Sequence, residues 1–232
     1  MKNPLKPPIP AKQSTSKSHT AGVLQRTRPL PRRFFNRDPR EVARDLLGKI
    51  LVRRQGVCIL AGRIVETEAY MGVTDAAAHS AAGLTARNAV LFGPPGYAYV
   101  YLIYGFHYCL NVSCMPAGDA GCVLFRALEP IAGIQEMSRY RHIELSPNPR
   151  MTQLRSITSG PGRLAQALAI SRTRDNGKDM TDPKLSDLWM ADDGWSPEGI
   201  AVTPRVGITK AKDEPLRYVI SGNPFVSGKR VK

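Results

Sequence analysis

The 232-residue sequence has no apolar run of the length and purity that a membrane helix requires. Its most apolar stretch, 97–112, is interrupted by Gly105, His107 and several tyrosines, where a span needs about 20 mostly aliphatic residues. The N-terminus, MKNPLKPPIP, lacks the apolar segment of a secretory signal. Cysteine is scarce: Cys58, Cys109, Cys114 and Cys122 form no CxxC pair and stand near no histidine ladder of the zinc type. They read as reduced thiols, and no metal is expected. Internal repeats are absent, and a composition of 42% hydrophobic and 22% charged residues excludes collagen-like, coiled-coil and wholly disordered classes. The remaining expectation is a soluble, intracellular chain, without a membrane partner, that buries a sizeable core.

Acidic residues are missing altogether from 1–37, which holds nine Lys/Arg and six prolines. The whole chain carries 33 basic and 19 acidic residues, a net +14; without this segment 24 and 19 remain, or +5. Residues 1–33 are therefore expected as a disordered basic arm ahead of one folded domain, 34–228. Three uses stay open for the arm: a solubilising tail, a polyanion-binding arm acting by counterion release, or an organellar transit peptide. The folded part is asymmetric as well. Eight Lys/Arg lie between Arg139 and Lys178 against only Glu144 and Asp175, a basic face that suits nucleic acid.

Within the domain, Asp38-Pro39-Arg40-Glu41 predicts a capped helix start, with Gly48 as its stop. Strand patterns follow at 49–53, 58–70, 98–104, 107–114 and 122–128, with later ones at 200–208 and 216–221. Helices are predicted near 131–141 and from 159 to 170. Short spacings and Gly-containing turns favour antiparallel pairing. The fold class expected is α+β: a single domain with a curved antiparallel β-sheet surrounded by helices and a protruding β-hairpin.

Three strands carry candidate chemistry. Alternation along 62–70 places Glu66, Glu68 and Tyr70 on one side; this is either an edge strand wetting its acids or a reactive carboxylate site. The small residues Ala76, Ala77 and Ala78, followed by His79, would let a ligand approach the backbone closely. Along 97–105, Tyr97, Tyr99 and Tyr101 share one face, and Val100 and Leu102 look like core on the other. Tyr104 falls at the turn before Gly105, where an aromatic could enter a base stack or could simply follow strand propensity. Arg126 ends an apolar run and needs a carboxylate or phosphate, with Glu68 a candidate. Asn111 must likewise be satisfied.

Together these segments resemble the alkyladenine (3-methyladenine) DNA glycosylases. The matching motifs are GRIVETEAY (62–70), AAAHS (76–80), TARN (85–88), YVYLIYG (99–105), CLNVS (109–113), GCVLFRALEP (121–130), SGPGRLAQALAI (159–170), PRVGI (204–208) and PLRYVISGNPFVS (215–227). The arm is outside the pattern, and His107 stands where the family often has a larger aromatic. The resemblance implies a repair glycosylase that flips a damaged purine from duplex DNA and hydrolyses its N-glycosidic bond without a metal or cofactor. It implies Glu68 as general base, with Arg126 and the Val206 carbonyl holding the water. Tyr70, Ala77, His79, Tyr101 and Asn111 would form the base pocket, and Tyr104 the intercalating side chain. Arg87, Asn88 and Arg163 would contact phosphates. The partner is double-stranded DNA containing damaged purines, the protein is expected as a monomer, and no lysine in these motifs suggests a Schiff base or strand cleavage. Two rivals remain: a non-catalytic basic nucleic-acid-binding protein, and a carbohydrate hydrolase using Glu66 with Glu68.

Overall fold

The computed structural model describes residues 26–103 and 105–229. Strands among them are β1 (Arg28–Pro29), β2 (Ile50–Gln55), β3 (Cys58–Tyr70), β4 (Ala98–Ile103), β5 (His107–Cys114), β6 (Gly121–Ala132), β7 (Leu188–Asp192), β8 (Ile200–Thr203) and β9 (Arg217–Ile220). Helices are α1 (Pro39–Asp45), α2 (Ile134–Tyr140), α3 (Met151–Thr158), α4 (Pro161–Ala167) and α5 (Arg172–Asp175). The strands form one open antiparallel sheet, in the order β1-β7-β2-β3-β6-β5-β4, with β8 and β9 branching from β3. This is the expected α+β class. The main core contains Leu51, Ile64, Val100, Phe125 and Leu128 from the sheet together with Val42, Ile157 and Leu164 from the helices.

β3 organises the molecule. Its first half pairs with β2, from Gln55↔Cys58 to Ile50↔Arg63, and its second half with β9, from Glu66↔Val219 to Glu68↔Arg217. β6 runs along the other edge from Ala61 to Tyr70. Glu66 and Glu68 therefore sit on a central strand, both 0% exposed, and the edge-strand alternative does not hold. The β3–β6 ladder also slips twice within three residues. Val65 is extra on β3 between Ile64↔Leu128 and Glu66↔Ala127, and Arg126 is extra on β6 before Thr67↔Phe125. Such bulges re-aim side chains. Here they turn Arg126 toward the two glutamates.

The β4–β5 hairpin outruns its support. Its ladder extends from Ala98↔Val112 to Ile103↔His107, whereas β6 covers β5 only from Asn111 to Cys114. Val100 is core as expected, but Leu102 lies beyond the covered part and is 41% exposed; Phe106 at the tip is 71% exposed. Tyr104 lies outside the described residues. α4 backs the hairpin at Gly162, where a Cβ would stand 3.1 Å from the His107 ring, a tight contact that glycine avoids.

Asp38 caps α1 by accepting from the Arg40 amide at 2.8 Å, so the cap serves that amide in place of the box expected with Glu41. Gly48, at φ +91°, turns the chain into β2. β1 pairs with β7 and Arg32 bonds Asp179 at 2.5 Å, both ahead of the ordered start expected at Phe34. Residues 1–25 of the expected arm lie outside the described residues.

Candidate active site

Four charged side chains meet where β3, β6 and β9 adjoin. Glu66 accepts from Arg126 Nε at 2.8 Å, Arg217 Nε at 2.7 Å, the Ser227 amide at 2.6 Å and the Ser227 hydroxyl at 2.8 Å. Glu68 has fewer donors. Its Oε1 accepts from the Val206 amide at 2.8 Å and faces Arg126 Nη1 at 3.1 Å, while its Oε2 accepts from the Tyr70 hydroxyl at 3.0 Å. The ion pair expected between Arg126 and Glu68 is thus present. Arg126 Nη1 also reaches the Val206 carbonyl at 3.4 Å.

The two acids titrate in opposite directions. Burial works against ionisation of Glu66, but Arg126, Arg217 and Ser227 overcome it and hold its carboxyl below the usual value. Burial wins at Glu68 and raises its proton affinity, despite Arg126, the Val206 amide and Tyr70 pulling the other way. A pair of carboxyls driven apart by their surroundings is a recurring mark of acid–base sites. Burial also keeps the Tyr70 phenol protonated, with Glu68 reinforcing it.

Above this cluster opens a cavity of about 330 Å³ lined by Tyr70, Ala77, His79, Tyr101 and Asn111, all five expected pocket residues. His79 and Tyr101 lie edge to face with ring centroids 4.3 Å apart. They make one wall together, and nothing stacks between them; Tyr70 supplies another wall. Burial, then the nearby Arg87, lowers the His79 pKa below 6.5, so the imidazole is neutral at pH 7. It shares a 2.9 Å hydrogen bond with Tyr99, whose own hydroxyl burial pushes up to about 12. Asn111 is 2% exposed and its Nδ2 donates to the Tyr99 carbonyl at 3.1 Å.

Arg87 also lines the cavity and is exposed, as is Arg163 in the first turn of α4. Asn88 is different. It is buried, its Nδ2 donates to the carbonyls of His79 (3.0 Å) and Gly83 (2.9 Å), and its Oδ1 accepts from the Thr85 amide (2.7 Å). Its amide is spent on bracing the loop that carries His79, which leaves no side-chain atom for the expected phosphate contact.

Several site residues escaped the sequence reading. Arg217 sits between Leu216 and Tyr218, the same setting that singled out Arg126, so that signal was available. Arg205 had none: it is buried, stacks 4.7 Å from the centroid of Tyr70 and binds Asp75 at 2.5 and 2.9 Å. Asp75 in turn accepts from the Ala77 amide at 2.9 Å. The pair thus pins the loop before Val206 to the loop before His79. Among the described residues, no group of three or more His, Cys, Asp or Glu is placed to hold a metal ion, and no helix is long and apolar enough to cross a membrane.

The profile of the methylpurine-DNA glycosylase (MPG) family matches residues 33–224. A protein of Koribacter versatilis is 67% identical over 207 residues, covering 89% of this chain and 97% of its own. One of Methanoculleus marisnigri is 47% identical over 199 residues (85% and 98%), and one of Alkaliphilus oremlandii 43% identical over 204 (86% and 99%). All three carry the name 3-methyladenine DNA glycosylase as a provisional assignment.

Proposed function

Because the chain belongs to the methylpurine-DNA glycosylase family, a family of DNA repair glycosylases, we propose that it flips an alkylated or deaminated purine out of duplex DNA and hydrolyses the N-glycosidic bond with a water activated by Glu68. The observation that carries this reading is a buried carboxylate with raised proton affinity, bonded to Arg126, Val206 and Tyr70 beneath an aromatic cavity.

In the reaction the bond between C1′ and the purine nitrogen breaks, and its electron pair leaves with the base. Water forms the new bond to C1′ and gives its proton to Glu68. Alkylation at N3 or N7 makes the purine cationic, so it departs neutral with no added proton; a neutral lesion requires one. As the bond opens the sugar gains positive charge, which the ionised carboxylate stabilises. Flipping costs about a few kcal/mol and least for damaged bases, and Tyr104, next in sequence to Ile103 of β4, fills the space left behind.

The walls supply selectivity. Tyr70 on one side and His79 with Tyr101 on the other suit a planar cation, and a neutral His79 adds no charge repulsion. Asn111, pinned by the Tyr99 carbonyl, cannot swing away from the extra amino group of an undamaged guanine. Arg87 and Arg163 take phosphates, and Asn88 positions the His79 loop. No lysine is among the cavity-lining residues, which supports a monofunctional glycosylase without strand cleavage. The basic residues ahead of β1 act as an arm beside the folded domain, which takes in Arg28–Pro29 and Arg32.

The test is Glu68→Gln on a duplex carrying a single alkylated purine, with alkali used to reveal abasic sites. The expected result is a loss of release of about 10²–10⁴-fold, the range of a positioned base, with lesion binding retained. Release at the unmodified rate would sink the assignment. A binding module alone predicts no free base from either protein.

A further inference from the structure

We propose that Glu66 is a positioning residue, which with Arg217 holds Arg126 against Glu68 and sets the charge balance around that base. This rests on Glu68 being the base. Glu66 is 0% exposed and takes four hydrogen bonds from three different segments, so its carboxylate is committed to the protein itself and contact with a purine does not account for it.

Arg126 accounts for it instead. Its guanidinium is a rigid planar fork, so whatever grips Nε fixes where the other nitrogens point. Glu66 takes Nε at 2.8 Å, and Nη1 then lands 3.1 Å from Glu68 and 3.4 Å from the Val206 carbonyl. The double bulge at Val65 and Arg126 makes this grip possible. Arg217, directly opposite Glu68 in the β3–β9 register, turns its own Nε to Glu66 at 2.7 Å.

The charges sum to zero: Glu66 and Glu68 against Arg126 and Arg217. The other titratable groups nearest Glu68 are neutral or paired. Tyr70 on β3 and Cys109 on β5, its thiol pushed up to about 11, are protonated. Arg205, in the loop beside Val206, is paired with Asp75 and lies 3.6 Å from the half-exposed Glu214. Removing the Glu66 charge therefore leaves a positive excess that makes Glu68 a weaker base. Removing the Arg217 charge leaves a negative excess that makes it a stronger one.

The experiment is the pH–rate profile of base release from duplex DNA containing one cationic 7-methylguanine, for which only the base must be ionised. Glu66→Gln should move the acid limb down and Arg217→Met should move it up, each by about one pH unit. Arg217→Lys, which keeps the charge, should leave the limb near its original position. Arg217→Met and Arg217→Lys carry the test if Glu66→Gln does not fold. Limbs that stay in place, or shift in the same direction in Glu66→Gln and Arg217→Met, would overturn the proposal. Normal release by Glu68→Gln would instead remove the underlying reading, so the two failures are distinguishable.

Discussion

Two buried ion networks occupy this molecule and do opposite things with similar parts. In the first, Arg53 of β2 binds Asp175 at 2.6 Å and Asp187 at 2.9 Å, and Lys178 joins both at 3.0 and 2.5 Å. Both acids have cations to spare, and both pKa values lie below the ordinary one. In the second, Glu66 is equally well supplied while Glu68 is not, and burial raises the Glu68 pKa. Burial and an arginine partner are common to both networks. Only at the site does burial outweigh the donors around a carboxylate, and on the proposed reading that raised proton affinity is what suits Glu68 to act as a base.

If the division is real, charge removal should separate the two networks cleanly. At the site, Glu68→Gln loses chemistry by the large factor given above and keeps the fold. At the other network, Arg53→Met takes the buried arginine from Asp175, which keeps Lys178 at 3.0 Å, and from Asp187. Losing a hydrogen bond to a charged group costs about 1.5–3 kcal/mol. The expected result is a much lower urea midpoint with base release per folded molecule unchanged. A fall in that corrected rate would show that the network also serves the site and would break the comparison.

A smaller effect is expected at Asn88, which lies between scaffold and site. Asn88→Ala removes three hydrogen bonds inside the His79 loop, and each buried group left unmet costs about 1–3 kcal/mol. Because the loop carries a pocket wall and none of the base machinery, KM for a lesion duplex should rise several-fold with kcat much less affected. A kcat loss with unchanged KM would move Asn88 into the chemistry.

Legibility in the sequence follows the range of the forces involved. β3 and β5 have the ends expected from alternation and Gly-marked turns, and Arg126 was marked by its apolar surroundings. β7 was not visible because Leu188–Ala191 is buried on both faces between β2 and β1, which erases alternation. α3 reads MTQLRSIT, too polar to show a stripe, and is held by Ile157 and Thr158 at its end. β6 continues to Ala132, displacing the start of the helix expected at 131. The site was legible where one motif carried both partners, as with Glu68 and Tyr70. It was not where partners lie far apart in sequence, as with Arg205 and Asp75, or Glu66 and Ser227.

The finest separation comes from stability against pH. The folded pKa values of Asp175 and Asp187 are depressed. Their contribution is therefore present above the ordinary value of 3.8 and disappears as pH falls through the lower folded values. Glu68 has the opposite sign. Its folded pKa is raised above 4.5, so the folded state prefers the protonated acid, and stability declines as pH rises from 4.5 through the folded value. Glu68→Gln removes that decline and leaves the aspartates untouched. Melting temperatures of the two proteins should nearly coincide near pH 4 and diverge toward pH 8, with the variant higher. The gap should widen steadily as pH rises over that range. A gap that stayed constant across pH, or favoured the unmodified protein at pH 8, would mean that Glu68 is held as firmly as Asp175, and the contrast between the two networks would vanish.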